Sequence, residues 1–207
     1  MKSLDLFCGT KSFSRLAEEY GYETITLDIL EKFNPTFCCD IMEWDYKQYP
    51  VGYFEVIWAS PNCKDYSSLN FLRKGLDKDL TGSNNLVKKT LEIIDYFKPK
   101  YWYLENPQTG KLKEQDFMTT LPYNDIDYCK YGFEYRKRTR IWNNNPNWKG
   151  RILCKKNGKK NNYCDIKTKE NKHPNFRWIT RGKGGGTRWE RRISIPQDLI
   201  KEIIEAS

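Results

Sequence analysis

The sequence predicts an α/β fold built on a doubly wound, parallel sheet, with a small irregular basic insert towards its C-terminal end. Three observations carry that expectation. Short apolar runs alternate with segments of helical periodicity through the first two thirds of the chain, the pattern of strand–helix–strand units. The runs lead to Gly9, Asp28, Asp40, Cys63 and Glu105, and in open α/β sheets ligands bind beyond the carboxyl ends of the strands. The alternation then breaks over 143–192, a stretch rich in Asn, Lys, Gly and Trp.

Taken in order, Ser3–Phe7 reads as the first strand, followed by a tight turn at Cys8-Gly9-Thr10. Ser12 is positioned to cap a helix that runs to Tyr20 and stops at Gly21. Glu23–Leu27 and the shorter Thr36–Cys39 read as strands. Phe54–Ala59 has the continuous apolar character of a buried strand and exits through Ser60-Pro61-Asn62-Cys63. Leu86, Val87, Leu91, Ile94 and Phe97 share one face of a helix over 84–97, which Pro99 stops. Tyr101–Leu104, Ile126–Cys129 and Arg138–Trp142 are the remaining strands. Ile195–Ala206 is an amphipathic helix with Pro196 in its first turn. Residues 1–142 thus read as the core, 143–192 as an irregular, basic, aromatic-rich insert, and 193–207 as a C-terminal helix packing on the core.

The chain carries 36 Lys+Arg against 27 Asp+Glu, a net charge of +9. Residues 130–192 hold 20 of the basic residues and 4 of the acidic ones, so the remainder is net acidic. An acidic body with a basic C-terminal third is the footprint of a polyanion binder. The plainer alternative is a solvated lysine-rich loop. Against it stand the interleaved Trp142, Trp148, Phe176, Trp178 and Trp189, since stacking groups beside cations suit nucleic acid. The N-terminus lacks the features of a signal peptide, and no apolar run has the length of a membrane span. The chain reads as soluble and intracellular, with no membrane partner. Its 7 cysteines are irregularly spaced, as reduced thiols or metal ligands are, rather than as a disulfide framework.

Several residues carry chemistry. Gly9, between a strand and a helix, lets backbone approach a ligand closely. Asp28, at a strand end, sits where a ribose-binding acid belongs, although a solvated turn aspartate fits the same position. Cys63 follows a buried strand through the rigid Pro61. A structural cysteine is the usual reading of such a position, while Lys64 and other cations would favour a thiolate. Glu105, at the end of an apolar strand, is expected to be desolvated and to hold a proton near neutrality. Arg136, Arg138 and Arg140 alternate, which puts all three on one face of a strand.

Together these residues resemble the C5-cytosine DNA methyltransferase family, over about residues 2–142 and in the family's motif order. Leu4-Asp5-Leu6-Phe7-Cys8-Gly9 is similar to its first cofactor motif. Asp28 and Asp40 match its acidic contacts to ribose and adenine. Ser60-Pro61-Asn62-Cys63 resembles its Pro-Pro-Cys nucleophile motif, and Glu105-Asn106-Pro107 its Glu-Asn-Val acid motif. Arg138-Thr139-Arg140 resembles the end of its Gln-x-Arg-x-Arg motif, with Arg136 where Gln is usual. The resemblance implies a Rossmann-like, S-adenosylmethionine-dependent sheet that moves a methyl group to C5 of a flipped cytosine in DNA and releases S-adenosylhomocysteine. It implies catalytic roles for Cys63, Glu105, Arg138 and Arg140. It also implies cofactor contacts at Phe7, Gly9, Thr10, Asp28, Ile29, Asp40, Ile41, Ser60 and Pro61. Arg136, Lys155, Lys156, Lys159 and Lys160 are expected on nucleic acid. Three features depart from the family pattern: Lys11 stands at the second glycine of the first motif, Asn62 replaces the second proline, and no final Gly-Asn motif is visible.

Two other readings share these residues: a tRNA cytosine-5 methyltransferase, which makes RNA a second candidate partner, and a catalytically silent nucleic-acid-binding relative. Cys129, Cys154, Cys164 and His173 are residue types that zinc favours. Without a close Cys-x-x-Cys pair, the reading at this level is that no metal is bound.

Overall fold

The computed structural model describes residues 1–67, 79–154, 173, 187, 190 and 193–207. Its centre is a 7-stranded sheet in the order β3-β2-β1-β4-β5-β7-β6. The strands are β1 (Lys2–Leu6), β2 (Glu23–Asp28), β3 (Phe37–Cys38), β4 (Val56–Ala59), β5 (Tyr101–Pro107), β6 (Tyr123–Asp127) and β7 (Arg138–Asn143). The first five are parallel. β7 enters between β5 and β6 and runs antiparallel to both, which departs from the all-parallel expectation. The reason is the short connection over 128–137. A parallel crossover needs roughly a dozen residues or more, usually with a helix, so the chain reverses instead.

Side chains alternate across the sheet, and each face has its own core. On one face Leu4, Leu6, Ile57, Ala59, Leu104 and Trp142 meet Val87, Ile93, Ile94 and Phe97 of helix α2 (Thr81–Phe97). On the other, Val56, Trp58, Tyr103 and Ile141 meet Phe13 and Ala17 of α1 (Ser12–Glu19). Leu199, Ile200 and Ile203 of the C-terminal helix complete this second core. Each fully buried aliphatic or aromatic side chain contributes about 1.5–3 kcal/mol relative to exposure. A short helix, α3 (Asp116–Thr119), precedes β6, and the C-terminal helix is α4 (Gln197–Glu205).

Some local expectations shift by a few residues. Ser12 is the first residue of α1 rather than its cap; Lys11 precedes it in a left-handed conformation. The expected strand over 126–129 lies at Tyr123–Asp127, with a 3-10 turn over Tyr128–Tyr131. The packed core also continues past residue 142: Asn143, Asn145, Trp148 and Cys154 are all buried. Trp142 and Trp148, read from sequence as stacking platforms for nucleic acid, are core residues, and Trp148 meets Tyr103 edge-on at 6.1 Å. Phe176, Trp178 and Trp189 lie outside the described residues, as do Lys155, Lys156, Lys159 and Lys160. Among the described residues, no helix is long and apolar enough to cross a membrane.

Candidate active site

The carboxyl ends of β1, β2, β4 and β5 lie along one edge of the sheet. After β1 the chain turns sharply. Phe7, Gly9 and Lys11 all have positive φ, at 59°, 48° and 57°. For the two non-glycine residues this costs about 1–2 kcal/mol each, so the turn is held by its surroundings. Asp28, at the end of β2 and 8% exposed, is one such support. Its Oδ2 accepts the Gly9 N–H at 2.9 Å, and its Oδ1 accepts the Leu30 N–H at 2.9 Å. Asp40 accepts the Met42 N–H at 2.9 Å and closes a similar turn. Ile29, Leu30 and Met42 leave apolar surface open along this edge, whereas Ile41 is buried in the core. The Lys11 ammonium donates to the Asn34 carbonyl and spans the first turn and the segment after β2.

The C-terminal segment reaches the same turn. The Ile195 N–H donates to Ser12 Oγ at 3.2 Å, and the hydroxyls of Ser194 and Thr10 lie 3.5 Å apart. A methyl group on Gly9 would stand 3.2 Å from Ile193 Cδ1. Sequence reasoning missed this neighbour of the first motif. The available signal was Ile193-Ser194-Ile195-Pro196 opening an amphipathic helix. A groove of about 840 Å³ opens beside the turn, lined by Thr10, Ser12, Phe133, Tyr135, Ser194 and Ile195 among others, but not by Cys63, Glu105 or Asp28.

β4 and β5 are adjacent and parallel, with Ala59 opposite Leu104. That register brings the Cys63 loop beside Glu105. Ser60 is tied back through its N–H to the Leu6 carbonyl at 3.1 Å, and its hydroxyl accepts the Trp58 indole N–H at 2.8 Å. The Pro61 carbonyl accepts Asn106 Nδ2 at 3.1 Å. Asn62, in place of a second proline, folds its Oδ1 over the loop to accept the Lys64 N–H at 3.0 Å. This side-chain turn constrains the loop locally. On the far side, Gly110 packs against the loop, and a methyl group there would meet the Pro107 carbonyl oxygen at 3.1 Å and that of Tyr66 at 3.3 Å.

Glu105 is 6% exposed. Its Oε1 accepts the Tyr128 hydroxyl at 2.9 Å and Lys137 Nζ at 3.2 Å. Burial pushes the Tyr128 hydroxyl well above the ordinary phenol range, so it remains a donor. The Cys63 thiol is also pushed up by burial, against Lys137, which draws it down, and Glu105, which raises it. The Lys137 ammonium is thus a cation acting on the Cys63 thiol.

The arginines stand elsewhere. Glu105 is opposite Ile141 in the ladder, so Arg138 and Arg140 belong to the other face, with Asn106 opposite Arg140. Arg140 makes a bidentate pair with Asp125 (2.7 and 3.0 Å) and covers the Tyr123 ring. Arg138 makes one with Asp127 (3.1 and 2.7 Å), and Arg136 approaches the same carboxylate at 3.8 Å. Period two does put the arginines on one face, but it is the face that clamps β6 to β7. Lys137, between them in sequence, reaches Glu105.

No protein-family model matches the chain. Among solved structures, a prophage-encoded E. coli protein named as a DNA modification methyltransferase aligns with TM-score 0.52 and 14% identity, over 69% of this chain. The chain spans 46% of that protein's length, and the likeness concerns the fold. A protein of frog virus 3 (isolate Goorha), named "Probable DNA (cytosine-5)-methyltransferase", is 32% identical over 223 aligned residues, 99% of each chain. With identity at that level over the full length of both chains, this chain belongs to the DNA (cytosine-5)-methyltransferase family.

Proposed function

We propose that the chain methylates C5 of cytosine in DNA through a covalent Cys63 adduct. The observation that carries this reading is the meeting of Cys63 and Glu105 at the ends of neighbouring parallel strands, with Lys137 acting on both. A sulfur nucleophile, a carboxyl group and a cation in one partly buried place suit addition to an electron-poor ring.

The residues around the first turn fit S-adenosylmethionine. Asp28 suits ribose hydroxyls, because each carboxylate oxygen keeps a lone pair beyond the one used by Gly9 or Leu30. Asp40 and the open apolar surface of Ile29, Leu30 and Met42 suit the adenine. When bound, the cofactor supplies an electrophilic methyl group. The chain's own part is to activate the acceptor. A target base inside a duplex has to leave the stack first. Cys63 sulfur then bonds to C6 while Glu105 hydrogen-bonds N3, which shifts electron density to C5. Lys137 holds Glu105 and favours the thiolate. Once C5 is methylated, its proton passes to water, the C5–C6 double bond re-forms and Cys63 leaves C6 as the thiolate. Arg136, Lys155, Lys156, Lys159 and Lys160 supply charge for phosphates, and the excess of basic residues over 130–192 supports a polyanionic substrate.

The test incubates the protein with labelled cofactor and either DNA or tRNA, then identifies the modified nucleoside. 5-Methylcytosine in DNA is expected; label only in tRNA would move the substrate to RNA. DNA carrying 5-fluorocytosine should form a covalent adduct with wild type and none with Cys63→Ser. An adduct mapped to another cysteine would overturn the assignment.

A further inference from the structure

The geometry points to a zinc ion held by Cys129, Cys154 and His173, outside the methylation site. The three ligand atoms lie within 4.8 Å of one another. Cys154 Sγ stands 3.9 Å from His173 Nε2. Tetrahedral zinc, with bonds of about 2.3 Å to sulfur and 2.0–2.1 Å to nitrogen, puts such a pair about 3.6 Å apart. This pair is thus almost at coordinating separation, and Cys129 completes a group within 4.8 Å.

They come from three separate parts of the chain. Cys129 is in the turn after β6, Cys154 ends the stretch that packs on the core, and His173 belongs to the basic segment. Both cysteines are buried and carry thiols rather than a disulfide, and the histidine is half-buried. Two sulfurs and an imidazole select zinc over magnesium or calcium, which take oxygen.

The backbone at Cys154 is fixed by other means. Its N–H donates to Asp127 Oδ2 at 2.8 Å, and its carbonyl accepts Arg138 Nη2 at 3.4 Å. Asp127 and Arg138 are themselves a bidentate pair. The clamp that joins β6 to β7 therefore also presents the thiol of Cys154. Supporting contacts of this kind are what a metal site requires beyond its ligands. On binding, each cysteine loses its proton, and the two thiolates balance the charge of the ion.

Cys154 and His173 bracket 155–172, which contains Lys155, Lys156, Lys159 and Lys160. Tyr128, next to Cys129, donates to Glu105, so the site adjoins the surroundings of Cys63. Cys164 lies outside the described residues, and the fourth coordination position is left to water or another donor.

The experiment is metal analysis of the full-length chain after expression with added zinc and gel filtration. A stoichiometric zinc ion is expected in wild type and in Cys38→Ser, whose cysteine is exposed elsewhere. Cys129→Ser and Cys154→Ser should lose it. To separate ligation from folding, wild-type protein stripped by a chelator is titrated with Co²⁺. Thiolate-to-cobalt charge-transfer bands and tetrahedral d–d bands should appear, and zinc should abolish them. Substoichiometric zinc in wild type together with no thiolate-to-cobalt band would overturn the site. Stoichiometric zinc retained by both cysteine variants would do the same. None of these readouts depends on methyl transfer.

Discussion

At Cys63, opposing effects meet on one sulfur. Burial and Glu105 raise its pKa above the ordinary 9.0, and Lys137 opposes them. A raised pKa favours the neutral thiol, so the thiolate fraction near pH 7.5 is small in the ligand-free protein and grows as pH rises past 9. Labelling of Cys63 by iodoacetamide, followed by peptide mass spectrometry, should therefore keep accelerating above pH 9. Lys137→Met removes the cation that draws the thiol pKa down and should slow labelling at pH 8 several-fold. Lys137→Arg should largely restore it. Faster labelling of the methionine variant would show that Lys137 is not what favours the thiolate. Cys63 and Glu105 were legible in the sequence because strand ends and motif order mark them. Lys137 was not, because its reach to Glu105 depends on how the chain enters β7, and that is fixed by the pairing of β7 with β5.

At the scale of elements, the junction of β1 and α1 holds a buried acid. Asp5 is 1% exposed and accepts the Ser14 N–H at 3.2 Å. Burial pushes its carboxyl up to about 7 from the ordinary 3.8. Between those values the folded state holds a proton that the unfolded chain releases. The stability this contributes is complete below about pH 4 and is lost as pH rises through 7. Asp5→Asn cannot ionise. Its melting temperature relative to wild type should therefore rise between pH 5 and pH 8, by a few degrees, for a linkage on the order of 2–4 kcal/mol. A difference that stays flat over that range would mean Asp5 keeps an ordinary pKa when folded. The β6–β7 pair shows the same dependence of charge on context. Its arginines read as substrate ligands in the sequence, yet each faces an aspartate across the ladder, Arg138 opposite Asp127 and Arg140 opposite Asp125.

For the whole molecule, the chain's end completes its beginning. α4 docks on α1 through Leu199, Ile200 and Ile203 and brings Ser194 and Ile195 against the first turn. Leu199 is fully buried, so Leu199→Ala should cost about 2–5 kcal/mol. Because the same docking supports the turn around Gly9, calorimetry should also show weaker S-adenosylmethionine binding in that variant at a temperature where it remains folded. Unchanged affinity with a lowered melting temperature would separate the helix from the cofactor turn.

Apolar periodicity alone determined the alternating strands and helices, and with them the sheet edge where Gly9, Asp28, Asp40, Cys63 and Glu105 gather. That much follows because strand ends in an open sheet share one edge whatever packs around them. The tertiary structure decided what local pattern cannot encode. It set β7 against β5, which turned Lys137 towards Glu105 and the arginines away. It buried Trp142 and Trp148, which composition alone had read as stacking surface. It also brought Cys129, Cys154 and His173 together from distant positions, since contact between remote residues depends on the path of the folded chain and not on their spacing in sequence.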